Sequence, residues 1–230
     1  MQLDFFNNFA YTCFMSKIYI SELASPQLTE YLKNQGHNII LTRSLENVAP
    51  AISCHPDIIH CHLAAGIVFH GNPDKPGPDY PADVIYNACS TGKYFIHNLK
   101  YTAPELLQEA ENMGLKMIHV PQGYARCSIC VVDEDSIITY DRGIAAACAL
   151  RAPALNVLLV SPGHIELPGY AAGFIGGTGG RVGSAILFNG DLSAHPDFEN
   201  IKEFIESRGL ECVWFTDIPL TDIGSVIEEK

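Results

Sequence analysis

The sequence predicts an α/β fold: five strand–helix–strand–strand units closed in a ring, fivefold pseudo-symmetric, with one unit lacking its helix. Three observations lead there. Five short apolar strands resemble one another, KIYIS from Lys17, GIVFHG from Gly66, KYFIHN from Lys93, SIITYD from Ser136 and AILFNG from Ala185, at spacings of 49, 27, 43 and 49 residues. Four of the five lead into a helix pattern and a second apolar strand. Each unit then ends in a third segment after a Pro- and Gly-rich loop, and repetition at a fixed period is the signature of repeat architectures.

In the first unit, Ser25-Pro26 supplies the cap and first helical residue and Gly36 closes the helix QLTEYLKNQG. The strand HNIILT and the third segment HPDIIHCHLAA (55–65) follow. The second unit carries NPDKPGPDYP in place of a helix, because four prolines cannot sustain one, and then YPADVIYNACS (80–90). In the third, Thr102 and Glu105 read as a capping box before LLQEAENMG, followed by LKMIHV and GYARCSICVV (123–132). The fourth has an Ala-rich helix after Gly143, the strand NVLLVS and the segment GYAAGFIGG (169–177). In the fifth, Pro196 opens a helix that Gly209 closes, ahead of LECVWF and LTDIGSVI (220–227). Ring closure leaves no long sheet edge exposed. The competing architecture is a doubly wound parallel sheet, which has no need of the recurring third segment.

Residues 1–16 read as an N-terminal extension outside the fold, and 17–230 as a single domain. The extension contains Asp4 and lacks a positive n-region, unlike a signal peptide. No stretch of 18 uninterrupted apolar residues occurs, so no membrane span is expected. Eight cysteines without compact spacing and without a secretion signal read as reduced thiols in the cytoplasm. The chain has 14 Lys+Arg against 26 Asp+Glu, a net charge of −12, which disfavours nucleic acid and anionic membranes as partners. With 47% hydrophobic residues it has the apolar content for a packed core.

The units and the motifs HPDIIHC, YPADVIYN, HNLKYT, QGYARCSIC, PGHIELPG, GFIGG, GDLSAHPD and LTDIGSV resemble the pentein superfamily of guanidino-group-modifying enzymes, over about residues 16–228. They look closest to an uncharacterised bacterial family assigned to that fold. The resemblance implies an α/β-propeller with chemistry at the ring centre: a nucleophilic Cys, a His base and carboxylates that hold a guanidinium. In that superfamily the Cys lies in the fifth unit, after a Gly-rich approach. This chain departs there, with Val226-Ile227 where His-Cys is expected and only Ser225 nearby.

Candidate catalytic groups are therefore sought elsewhere. His60 and His62 share one face of a strand, with Cys61 on the other. Cys127 and Cys130 form a C-x-x-C in a third segment, where either thiol could meet an imidazole across the ring; buried structural thiols are the plainer reading. His164 and Glu166 lie in a loop just past a strand. Asp57, Asp83 and Asp222 occupy equivalent third-segment positions, with Asn87 on the face of Asp83. Together they are candidates for substrate binding, although Asp is equally at home in turns. His55 and Asp57 read as turn residues, since the same His-Pro-Asp recurs at 195–197.

Two other classes stay open. One is a non-catalytic binding or scaffold protein of the same fold. The other, a metal-dependent hydrolase, would use His60, His62 and a carboxylate. No cofactor is expected. The acidic charge points to a small cationic ligand.

Overall fold

The computed structural model describes residues 16–230; the N-terminal extension assigned from sequence lies outside the described residues except for Ser16. That residue is buried, its hydroxyl 2.7 Å from His37 Nδ1, so it belongs to the fold. The described chain is a mixed α/β structure of five small sheets and five helices.

The five similar strands are β1 (Lys17–Ser21), β4 (Ile67–His70), β6 (Tyr94–His97), β9 (Ser136–Thr139) and β12 (Ala185–Phe188). Four run parallel to a following strand: β2 (Asn38–Thr42), β7 (Lys116–His119), β10 (Asn156–Leu159) and β13 (Glu211–Val213). The crossovers are α1 (Pro26–Asn34), α2 (Pro104–Asn112), α4 (Arg142–Arg151) and α5 (Phe198–Glu206). No helix or parallel strand follows β4 among the described residues, as the prolines of 72–81 predict.

The third segments supply β3 (His60–Ala64), β5 (Cys89–Ser90), β8 (Ile129–Asp133), β11 (Gly179–Val182) and β14 (Ile227–Glu229). Each pairs antiparallel with the similar strand that follows it in sequence, β3 with β4, β5 with β6, β8 with β9 and β11 with β12. The unit boundary read from sequence is thus displaced by one strand. β14, the last of the described strands, pairs with β1, Tyr19 opposite Ile227 and Lys17 opposite Glu229. These strands also touch one another in a circuit: β3 with β5, β5 with β8, β8 with β11, β11 with β14 and β14 with β3.

Packing follows the pattern of apolar residues. β9 and β12 are buried at every position, as expected for strands covered on both faces. α1 buries Leu28 and Leu32 and α5 buries Ile201 and Ile205, the four-residue spacing of one helix face. Ser25 caps α1 as predicted, its hydroxyl accepting from Leu28 N–H. Thr102 does not cap α2. The cap position falls on Ala103, and the Thr102 hydroxyl lies 2.7 Å from His97 Nδ1, because a buried imidazole competes successfully for it. Likewise α4 is capped by Asp141, and α5 begins at Phe198 rather than at Pro196.

Candidate functional site

In three of the third segments the strand is preceded by a short helical turn, and these turns, with the segment before β14, carry most of the polar residues that converge. His55 leads into the single turn Pro56–Ile58, which Pro56 opens and which holds Asp57. Tyr124 leads into α3 (Ala125–Ser128), one helical turn containing Arg126 and Cys127. Gly176–Thr178 forms the corresponding turn before β11. Asp222, Gly224 and Ser225 precede β14.

Glycines at two places permit the close approach. A Cβ on Gly177 would stand 2.0 Å from Asp222 Oδ1. One on Gly224, whose φ is +73°, would stand 2.1 Å from His55 Cβ. Ser225 itself adopts φ 78°, a strained conformation for a residue with a side chain, held by a hydrogen bond.

That bond joins the central network. Ser225 Oγ donates to Asp57 Oδ2 at 2.7 Å, and the Cys127 thiol donates to the same oxygen at 3.0 Å. Asn87 Nδ2 donates to Cys127 Sγ at 3.2 Å, while Asn87 Oδ1 accepts from the backbone N–H of Arg126 and Cys127. Asp222 accepts from Phe174 N–H at 2.9 Å and Gly224 N–H at 3.0 Å. Ligand-capable atoms of His55, Cys127 and Asp222 all lie within 4.8 Å of one another. All six side chains are buried, yet His55 Nδ1 and Asp57 Oδ1 have no hydrogen-bond partner.

Burial dominates the electrostatics. It pushes Asp57 up to about 6, against the hydrogen bonds from Ser225 and Cys127 and the charge of Arg126. It pushes Asp222 up to about 7, with the Asp57 charge adding to the rise. It drives His55 down to about 4 and holds the Cys127 thiol well above its usual value. Arg126 is the nearest fixed cation, but its guanidinium is turned onto the carbonyls of Ile129, Gly176 and Gly179. Among the described residues neither of these buried carboxylates has a Lys or Arg ion-pair partner.

Aromatic rings flank this centre. Tyr124 donates its hydroxyl proton to Asp83, and its ring neighbours Tyr80 and Phe174, which in turn stacks 5.9 Å from Tyr140.

The structure therefore brings together four of the residues chosen from sequence, Cys127, Asp57, Asn87 and Asp222, whereas Asp83 accepts from the Tyr124 hydroxyl outside that network. The others lie elsewhere. Cys130 is on β8, packed into an apolar cluster with Val132, Ile138 and Phe188, because strand alternation turns it from the centre. His60 packs on the Tyr19 ring and sits 3.0 Å from His70 Nδ1, and His70 continues to Glu229 at 2.8 Å. His62 lines a cavity of about 490 Å³ with Arg126, Arg181 and Glu228. His164 is exposed in its loop, its ring edge-on to His195.

His55 and Ser225 were not selected from sequence. The repeated His-Pro-Asp misdirects: at 195–197 its Asp does serve the chain, accepting from Ser161 N–H, whereas at 55–57 both polar side chains point into the centre. Arg126, Tyr124 and Phe174 carried no pattern that marked them.

The chain matches the profile of a family of unknown function, DUF6873, over residues 65–227. It belongs to that family. The matched region includes Asn87, Cys127, Asp222 and Ser225, while His55 and Asp57 precede it. No curated protein and no solved structure matches the chain.

Proposed function

We infer that this member of the family is a five-bladed, pentein-like α/β-propeller whose centre is a thiol-dependent hydrolase or transferase site for a small cationic compound of the guanidino or amidino type. The strand circuit and the pairing of β14 with β1 support the ring. The observation that carries the function is that Cys127 sits between an unpartnered imidazole and two buried carboxylates without a Lys or Arg partner. Buried carboxylates demand a positive partner, and an incoming cation supplies it. Seven described cysteines are free thiols and no described helix is long and apolar enough to cross a membrane; both fit an enzyme of a reducing compartment such as the cytoplasm.

The chemistry follows from the geometry. At rest the thiol is protonated and hydrogen-bonded to Asp57. A cation bound between Asp57 and Asp222 stabilises the thiolate by its own charge. The thiol proton passes to His55, the sulfur attacks the amidino carbon, and the leaving amine departs with the proton that His55 returns. Water, or a second amine, then displaces Cys127 from the covalent adduct.

A haloacetamidine, which couples a cationic amidinium to an alkylating carbon, tests this reading. It should alkylate Cys127 at least 10-fold faster than the neutral haloacetamide does, and Asp222→Asn should remove the preference. Equal rates for the two reagents, or alkylation of another cysteine with Cys127 untouched, refute the assignment.

A further inference from the structure

We propose that His55, Cys127 and Asp222 also form a binding site for a thiophilic divalent cation of the zinc class, and that the ion competes with the cationic compound for the centre. The donor set is one imidazole, one thiol and one carboxylate, from three different turns, with their ligand-capable atoms within 4.8 Å of one another. Ligands about 2.0–2.3 Å from zinc stand roughly 3.3–3.7 Å apart, so the side chains need draw in by only about 1 Å. A sulfur, a nitrogen and an oxygen together select zinc or cobalt over magnesium and calcium, which take oxygen alone.

An independent observation points to a missing partner. His55 Nδ1 is 3.9 Å from Asp222 Oδ1, beyond hydrogen-bond reach, and is buried with no other partner. A buried polar atom left unpaired costs about 1–3 kcal/mol, and a metal bond removes that cost. The surroundings also supply supporting groups. Asp222 is oriented by Phe174 and Gly224 N–H, and Asn87 Nδ2 holds the sulfur. Such outer contacts fix ligands for a metal. Three protein ligands leave a fourth position open, as in catalytic zinc sites rather than structural ones. The charge of Arg126 opposes the ion, but the two acidic groups outnumber it and its guanidinium is held on backbone carbonyls.

On binding, Cys127 enters as thiolate and its proton leaves to solvent. The bound ion then occupies the position assigned above to the substrate cation, so zinc is inhibitory; that consequence rests on the proposed function, whereas the site itself does not.

Cobalt(II), a spectroscopic substitute for zinc, tests the site in chelator-treated full-length protein under reducing conditions. One equivalent should bind with a thiolate-to-cobalt charge-transfer band, zinc should displace it, and Cys127→Ser should abolish the band. His55→Gln should weaken binding by at least about 10-fold, the scale on which even an outer-shell partner acts. If Cys127→Ser fails to fold, His55→Gln decides alone. The variant His60→Gln, outside the site, should bind cobalt as the parent does. Absence of the band in the parent protein, its survival in Cys127→Ser, or unchanged affinity in His55→Gln overturns the site. Haloacetamidine labelling of metal-free protein separates the two assignments: labelling without cobalt binding removes only the metal site, and cobalt binding without labelling removes only the thiol chemistry.

Discussion

Asp57 places two donors on Oδ2 and none on Oδ1, an arrangement that an amide would satisfy as well as a carboxylate. Its folded pKa, raised to about 6 from 3.8, means that the native state holds its proton more tightly than the unfolded chain does. The associated stability is complete below about pH 4 and is lost as pH rises through 6. Asp57→Asn should therefore stabilise the protein at pH 8 by up to about 3 kcal/mol, with the gain vanishing by pH 4. Urea unfolding of both proteins across that range measures it, and a gain independent of pH contradicts a buried, uncompensated carboxylate. His55 runs the other way. Its pKa, lowered to about 4, gives stability that is present above 6.5 and lost as pH falls toward 4. A site made more stable by removing one of its charges is what function at the expense of stability looks like.

At the scale of elements, the centre is assembled by turns rather than strands, and that is why the sequence revealed only part of it. Cys127 lies in the α3 turn and Cys130 on β8 proper, a division that reading GYARCSICVV as one continuous segment does not show. The same error gave weight to His60 and His62, which lie on β3 proper, and too little to His55 in the turn before it. The carboxylates Asp57 and Asp222 were legible because equivalent positions in repeats point to equivalent places. Substitution of Gly224 tests the assembly: Ala there meets His55 Cβ and keeps a φ of +73°, so Gly224→Ala should cost about 1–3 kcal/mol and slow haloacetamidine labelling of Cys127. By contrast Ser25→Ala, which removes the α1 cap but no side chain of the central network, should cost about 1 kcal/mol in thermal or urea unfolding and leave labelling unchanged.

For the whole molecule, periodicity predicted the number, order and helix content of the units, including the unit without a helix. It placed the unit boundary one strand late, since sequence order alone does not say which neighbour an antiparallel strand will choose. The chosen neighbour ties the last described strand to the first: β14 lies on β1, and Lys230 N–H reaches Gly66 O. Deleting 227–230 should thus lower stability of the entire chain in one cooperative transition, measured by urea unfolding, rather than fray one end. The net charge of −12 is consistent with the same economy at the centre, where two acidic groups face inward with a single neighbouring Arg.

The central claim is that Asp57 and Asp222, beside Cys127, bind a small cation. Calorimetric titration of the Cys127→Ala protein with guanidinium and alkylguanidinium salts tests it without interference from chemistry at sulfur. Saturable binding at one site per chain, abolished by Asp57→Asn combined with Asp222→Asn, is the predicted result. Absence of binding, or binding that survives the double substitution, would contradict it.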